Sequence, residues 1–204
     1  MPWAKQKIML IPIGSNIPTF QPASIAYVPR VLYHGLVMPR KGLEEWLSLA
    51  QLARDRDTGW DFVAVGKIPV AHASYAHDLI QRSSAAAVRW VLDRPDDEVA
   101  AQFSQGGVAY LPFIDGASDR RGSLKAVLAA GLPTITTATE QTPQNLDSTV
   151  LFASNAPAAF DCVWRLMQSI EERRRLAQAA LEYSQLFSWR RIAESHIRMY
   201  EELL

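Results

Sequence analysis

The sequence predicts a single α/β domain in which a mostly parallel β-sheet is covered by helices on both faces. Short apolar runs alternate along the chain with longer segments whose apolar residues recur at helical spacing. Strands that alternate with helices form parallel sheets, because each crossover helix packs on a face of the sheet. The length of 204 residues and the 49% hydrophobic content suffice for one sizeable core.

The predicted strands are short runs of apolar or β-branched residues. They lie at residues 8–13, 30–33, 61–65, 88–92, 108–111 and 134–137, with residues 150–152 as a further candidate. Helical periodicity predicts helices at residues 41–55, 74–82, 96–104 and 122–130, and three more at residues 157–170, 171–186 and 189–203. The fold class is therefore α/β, a Rossmann-like three-layer sandwich with a mostly parallel six-stranded sheet and extra C-terminal helices.

Charge and cysteine content narrow the class of protein. The chain has 21 basic and 21 acidic residues, which does not favour a nucleic-acid or anionic-membrane partner. A single cysteine, Cys162, excludes an internal disulfide framework and a multi-cysteine metal site. The sequence has no apolar run of about 20 residues and no apolar signal-peptide core near Met1. We therefore expect a cytoplasmic protein.

The loop at residues 34–42 is the first candidate for ligand binding, because open parallel sheets bind ligands beyond the carboxyl ends of their strands. Gly35 allows a close approach of the backbone to a ligand. Lys41 lies at a predicted helix start, where free N–H groups attract anions, and its flexible ammonium suits a diphosphate. The alternative is an ordinary turn with solvated Arg40 and Lys41. The loop alone favours that alternative, since it matches neither G-x-G-x-x-G nor the P-loop pattern.

A second loop, at residues 111–126, again connects a strand to a helix. Its candidate anion-binding residues are Arg120, Arg121, Gly122 and Ser123. Small residues at a helix start leave N–H groups open to an anion, and guanidinium forks suit phosphate. The alternative is a surface loop in which the arginines pair with Asp115 and Asp119. Both arrangements can coexist if the acids orient the arginines.

Histidine gives little sign of a metal site. His72 and His77 are five residues apart, which misses the i, i+4 spacing of a helical ligand pair, so both are expected at the surface. His34 follows a strand beside Gly35, where contact with a ligand and plain packing are both consistent with the sequence.

Several segments occur in the order found in one enzyme family. Residues 11–17 enter the domain, a glycine at 35 is followed by Lys-Gly at 41–42, and residues 61–66 form a strand that ends in glycine. An acidic helix at residues 96–103, a helix and Gly-x-Pro turn at 124–133, and Phe-Ser-Trp at 187–189 follow. This set resembles the C-terminal, donor-binding domain of GT-B fold retaining glycosyltransferases of the large bacterial polysaccharide "group 1" (family 4-like) type.

The resemblance implies a site for a nucleoside diphosphate sugar without a metal or other cofactor. In such enzymes a lysine and a helix start contact the diphosphate, and the base lies near the residues that correspond to 90–94. The implied donor-binding residues are Gly35, Lys41, Asp115, Arg120, Arg121, Gly122 and Ser123. Lys41 and Arg121 are the implied catalytic residues, because they would stabilise the charge on the leaving diphosphate.

Two positions depart from the family pattern. Leu36 stands where the family often has an arginine that binds phosphate, and Arg120 or Arg121 would replace that contact. Lys125 stands where the family has a glutamate on the ribose hydroxyls. The sugar-side acid would be Asp115, which is ten residues before Lys125 instead of the family's eight, so ribose recognition has no explanation from sequence.

The resemblance also predicts the organisation of the chain. Residues 1–29 would be an entry segment from a missing N-terminal acceptor domain, residues 30–186 the nucleotide-sugar-binding domain, and residues 187–204 a C-terminal helix. Either the sequence is a piece of a longer protein, which we expect, or the acceptor domain is a separate chain. Peripheral membrane association through that domain stays open.

The expected function is that of the donor-binding half of a hexosyltransferase-type enzyme in polysaccharide or glycoconjugate biosynthesis, inactive by itself. One alternative is a non-catalytic nucleotide-binding or interaction domain, which Leu36 and Lys125 favour. The other is half of a nucleotide-sugar epimerase, which would need more acids and histidines on these loops than the sequence has.

Overall fold

The computed structural model describes residues 11–18, 26 and 28–202. Six strands form one sheet: β1 Arg30–Leu36, β2 Asp61–Lys67, β3 Arg89–Leu92, β4 Val108–Leu111, β5 Thr134–Thr136 and β6 Leu151–Phe152. Their order in the sheet is β3-β2-β1-β4-β5-β6, and every pair of neighbours is parallel. The predicted α/β fold with a six-stranded sheet is confirmed.

Seven α-helices follow the predicted pattern within the described residues. They are α1 Leu43–Asp55, α2 Ala73–Arg82, α3 Asp96–Ser104, α4 Gly122–Ala129, α5 Ala156–Gln168, α6 Ile170–Ser184 and α7 Trp189–Glu201. Side-chain oxygens cap the last three helices at their N-termini: Asn155, Ser169 and Ser188 accept from backbone N–H groups of the first turn, which satisfies donors that the helix leaves free. These bounds confirm the three predicted C-terminal helices.

The first predicted strand is wrong in its described part. Residues 8–10 lie outside the described residues, and residues 11–13 have no regular secondary structure. Pro12 lies in this stretch, and proline has no N–H group to donate to a sheet ladder. The next strand is longer than predicted, because β1 continues to Leu36.

The core is formed by the central strands and the helices packed on them. Trp46 of α1 is fully buried and its ring lies 5.4 Å from that of Phe62 on β2. Helix α1 also packs on α5, and α4 packs on α6. The chain runs outward from β1 to β3 and then returns to place β4 on the other side of β1. The carboxyl ends of β1 and β4 therefore flank the point where strand order reverses, which is the usual ligand crevice of such sheets.

Candidate functional site

A cleft of about 410 Å³ lies at the carboxyl ends of β1 and β4. Six of the predicted site residues line it: Gly35, Lys41, Arg120, Arg121, Gly122 and Ser123. The other predicted residue, Asp115, is not part of the lining. Two loops that are far apart in sequence therefore meet at one cleft, as the two loop predictions required.

Gly42 allows the loop at residues 34–42 to lie directly against the loop that begins after β4. This residue precedes α1 in a left-handed conformation, with φ of 79°, and a Cβ atom here would lie 1.8 Å from the carbonyl oxygen of Pro112. Only glycine permits that approach. The buried Tyr33 hydroxyl donates a hydrogen bond to the carbonyl oxygen of Lys41 at 3.1 Å. The backbone is thus held at Lys41 by the Tyr33 hydroxyl and at Gly42 by the contact with Pro112, and Lys41 lines the cleft.

Lys67 is a lining residue that sequence reasoning missed. It follows Gly66, where a Cβ atom would lie 1.9 Å from the carbonyl oxygen of Gly35, so β1 and β2 end close together at the cleft. The Lys67 ammonium lies 3.8 Å from Asp96, with both side chains largely exposed. A lysine directly after the glycine that ends a predicted strand was the signal that would have identified it.

Arg121 is partly neutralised. Its guanidinium pairs with the Asp115 carboxylate and lies over the Phe113 ring, 4.8 Å from the ring centre. The pKa of Asp115 lies below its ordinary value: slight desolvation raises it, but a hydrogen bond to its own backbone N–H, the Arg121 guanidinium and the Lys41 ammonium together lower it by more. The Nε atom of Arg121 is buried and, among the described residues, has no hydrogen-bond partner. The predicted alternative of an arginine–acid pair is therefore realised for Arg121.

Arg120 is not paired in this way. Asp119, its expected partner, instead accepts a hydrogen bond from the Tyr183 hydroxyl at 3.3 Å. In the part of the chain that the structure describes, neither Arg120 nor Lys41 has a carboxylate within 4.0 Å. The cleft therefore has two cationic side chains whose charge is not compensated by a direct ion pair.

The start of α4 also lines the cleft. Gly122 and Ser123 are the first helical residues, and no side chain caps this turn. A Cβ atom at Gly122 would meet nothing within 4 Å, so the space before the helix is open. Uncapped N–H groups at a helix start are a favourable position for an anion.

Lys125 does not face the cleft. Its ammonium donates a hydrogen bond of 2.7 Å to the carbonyl oxygen of Ile13 and lies 4.1 Å from the centre of the Phe187 ring. The side chain is only 4% exposed. The position that the resemblance assigns to the ribose contact is therefore occupied by a lysine engaged elsewhere, and residues 90–94, assigned to the base, do not line the cleft.

His34 lines the cleft as a packed, neutral side chain. Its Nδ1 atom lies 3.3 Å from the carbonyl oxygen of Val65, and its ring meets Phe103 edge to face at 5.0 Å. Desolvation lowers the pKa of His34 to about 4, so the imidazole carries no charge at neutral pH. His77 is exposed, as predicted, and His72 is half-buried.

Two negative findings hold for residues 11–18, 26 and 28–202. No three side chains of His, Cys, Asp or Glu group together in a way that could hold a metal ion. None of the helices there combines the length and the apolar content that a bilayer crossing needs.

Comparison with known proteins identifies the fold through structure alone, since no family model and no curated protein matches the sequence. Sucrose-phosphate synthase from Thermosynechococcus elongatus superposes with a TM-score of 0.77 at 23% identity, over 96% of this chain and 52% of that one. The Anabaena protein HepE, solved in complex with UDP and glucose, gives 0.71 at 13% identity, over 87% and 49%.

A further structure is itself a single domain. The C-terminal domain of a glycosyl transferase group 1 family protein from Francisella tularensis gives a TM-score of 0.64 at 14% identity, and the match covers 83% of this chain and 95% of that one. By contrast, this chain spans only about half the length of the sucrose-phosphate synthase and HepE chains. The chain has the fold of the C-terminal, Rossmann-like domain of GT-B glycosyltransferases.

Proposed function

We propose that this chain is the donor-binding half of a glycosyltransferase that moves a sugar from a nucleoside diphosphate sugar to an acceptor. The observation that carries the proposal is the convergence of Lys41, Arg120 and the uncapped start of α4 on one cleft at the strand-order reversal. A structural neighbour solved with UDP and glucose supports a nucleotide sugar as the ligand.

The charges of the cleft suit a diphosphate. Lys41 and Arg120 are not neutralised by ion pairs with described residues, and the Nε–H of Arg121 is a buried donor without a described acceptor. When the anomeric bond breaks, negative charge grows on the leaving diphosphate, and cations already in place stabilise it. In this proposal Lys41 and Arg121 are the catalytic residues, and Asp115 acts through Arg121 by orienting its guanidinium.

Protein cations take the role of a metal in this proposal. We expect the affinity for UDP to be the same in EDTA and in millimolar Mg²⁺. Tighter binding with Mg²⁺ would contradict the expectation, because a bound divalent ion would then share the neutralisation of the diphosphate.

The rest of the enzyme belongs to the proposal as well. The coverage of 52% and 49% of two longer neighbouring chains supports a second, acceptor-binding domain, without which this half is inactive. Hexosyl transfer in polysaccharide or glycoconjugate biosynthesis is the expected reaction. The cytoplasmic location, and membrane association through the acceptor domain, stay predictions.

Calorimetric titration with UDP, GDP and ADP tests the donor site. We expect at least one of them to bind with a dissociation constant of about a millimolar or lower. Lys41→Ala removes a charged hydrogen-bond donor, which is worth about 1.5–3 kcal/mol, so the affinity should fall by about 10- to 100-fold. Arg174→Ala, an exposed arginine of α6, is the matched control and should bind as the unaltered protein does.

Two outcomes would contradict the proposed donor site. Failure of all three nucleotides to bind at millimolar concentration, with no effect of Lys41→Ala, would support a non-catalytic interaction domain. Binding with an unchanged affinity in Lys41→Ala would place the nucleotide outside the cleft.

A further inference from the structure

One wall of the cleft is formed by residues that belong to no strand or helix. Asn16 and Ile17 line the cleft, but residues 11–18 have no regular secondary structure. Because no ladder or helical hydrogen bonds fix this 11–18 segment, its position over the cleft depends on contacts with the rest of the domain.

Those contacts come from α4 and from the start of α7. The Lys125 ammonium donates to the carbonyl oxygen of Ile13 at 2.7 Å, and the Trp189 indole N–H donates to that of Ser15 at 3.0 Å. Between them, Gly14 lies so close that a Cβ atom would be 3.0 Å from the Trp189 ring. The segment is thus held at two carbonyl oxygens on either side of a close backbone contact.

Lys125 is an unusual residue for such a position. It is 4% exposed, and among the described residues no carboxylate lies within 4.0 Å of its ammonium. Burial lowers the pKa of Lys125, and the more distant Asp119 partly opposes this. Burying an ammonium is costly unless it is well hydrogen-bonded. The Ile13 carbonyl and the Phe187 ring face supply the compensation, so the ammonium and the 11–18 segment stabilise one another.

The 11–18 segment separates Lys125 from the cleft. Lys125 lines a second cavity, of about 480 Å³, together with Phe187, Trp189 and residues of the same segment. Asn16 and Ile17 line both cavities. A change at Lys125 can therefore reach the cleft through Asn16 and Ile17 without any contact between the lysine and a ligand.

We propose that Lys125 is a positioning residue that holds the 11–18 segment in place, so that Asn16 and Ile17 complete the nucleotide-binding cleft. For the identity of the ligand, this inference rests on the proposed function. Lys125, at the family's ribose position, thereby has a different role: it acts on the cleft through the 11–18 segment and does not contact the nucleotide.

The experiment combines limited proteolysis of the 11–18 segment with nucleotide binding in the full chain. Lys125→Met keeps an apolar stem of similar length and removes the charge and the donor. Proteinase K should cut between residues 13 and 17 about tenfold faster, as mapped by mass spectrometry, and the dissociation constant of the tightest-binding nucleotide among UDP, GDP and ADP should rise by several-fold to about tenfold. Lys125→Arg, which keeps a charged donor, should restore most of both values. Arg174→Met, an exposed cation on α6, should change neither.

A second variant keeps the test valid if Lys125→Met does not fold. Trp189→Phe removes the indole donor to Ser15 and keeps an aromatic ring against Gly14, so it should also speed cleavage between residues 13 and 17 and weaken nucleotide binding. Melting curves of every variant separate this local loosening from global destabilisation.

The outcomes separate the inference from the proposed function. Unchanged cleavage between residues 13 and 17 in both Lys125→Met and Trp189→Phe overturns the inference, whether or not a nucleotide binds. Faster cleavage with unchanged affinity overturns the positioning role. Failure of the unaltered protein to bind any of the three nucleotides overturns the proposed function and the ligand part of the inference, while the cleavage data still decide whether Lys125 holds the segment.

Discussion

The close approach between the two loops predicts a large effect of Gly42→Ala. Alanine in the left-handed conformation at this position, with φ of 79°, costs about 1–2 kcal/mol. Its Cβ atom would also lie 1.8 Å from the Pro112 carbonyl oxygen, and real Cβ atoms essentially never come within 3.0 Å. The loops must therefore separate by about 1.2 Å, the difference between the two distances. Such a backbone shift costs about 1–3 kcal/mol, and the sum is about 2–5 kcal/mol.

Gly59→Ala is the matched control for this prediction. Gly59 has a similar left-handed φ of 68°, but a Cβ atom there would meet nothing within 4 Å, so only the backbone cost of about 1–2 kcal/mol applies. For a chain of this size about 2–4 °C of melting temperature is lost per kcal/mol. Thermal melting should show a drop of roughly 4–20 °C for Gly42→Ala and roughly 2–8 °C for Gly59→Ala.

Nucleotide binding should distinguish the same pair. Displacement of the two loops moves Lys41 relative to the start of α4, so Gly42→Ala should weaken binding of UDP, GDP or ADP, and Gly59→Ala should not. Equal losses of stability in the two variants would refute the inferred contact between the loops, since the clash would then contribute nothing.

Three further predictions concern single side chains. Gly122→Ala adds a methyl group in open space at a helix start, so it should raise the melting temperature, with a gain in the free energy of unfolding of up to about 1 kcal/mol. The same methyl group would take up space beside the free N–H groups, so calorimetry should show weaker nucleotide binding. Unchanged affinity would argue against an anion site there. Arg173→Met removes a buried guanidinium that donates to the carbonyl oxygens of Leu166 and Met167. Chemical denaturation should show a loss of about 2–3 kcal/mol in the free energy of unfolding. Arg174→Met, which changes the exposed neighbour, should cost less than about 0.5 kcal/mol. The pKa of His34 falls from 6.5 to about 4 on folding because of desolvation. The unfolded chain therefore binds the proton first, and stability should be lost as the pH falls from about 6.5 towards 4. His34→Gln should flatten this part of the plot of stability against pH, and an unchanged plot would contradict the lowered pKa.

Much of the fold was predictable because its signals are local. Helical spacing of apolar residues and short β-branched runs repeat along the chain, and each helix was found within a few residues of its predicted bounds. The error at residues 11–13 arose because an apolar run with a proline resembles a strand, whereas Pro12 cannot donate to a ladder. The extension of β1 to Leu36 depends on pairing with Lys67 of β2, which is not a local property.

The candidate site was predictable to the level of loops. Carboxyl ends of parallel strands meet at one edge, so Lys41 and the start of α4 were expected together. Which of two adjacent arginines pairs with an acid was not predictable, because it depends on the path of the loop and on the Phe113 ring beneath Arg121.

The roles of two other regions follow from contacts between residues that are far apart in sequence. Lys125 bonds to Ile13, 112 positions away, and the Trp189 indole reaches Ser15, 174 positions away. No spacing rule reveals such pairs, so from the sequence alone Lys125, at the family's ribose position, had no explained role, and Asn16 and Ile17 had no role in binding.

The central claim is that Lys41 and Arg120 bind the diphosphate of a nucleotide, and the affinities of UDP and UMP for three proteins test it most directly. If the cations contact the terminal phosphate, the unaltered protein should bind UDP about tenfold or more tightly than UMP. This ratio should fall in Lys41→Ala and in Arg120→Ala, because the extra phosphate has then lost one of its two cationic partners. Equal affinities for UDP and UMP in the unaltered protein, or the same ratio in all three proteins, would contradict the account.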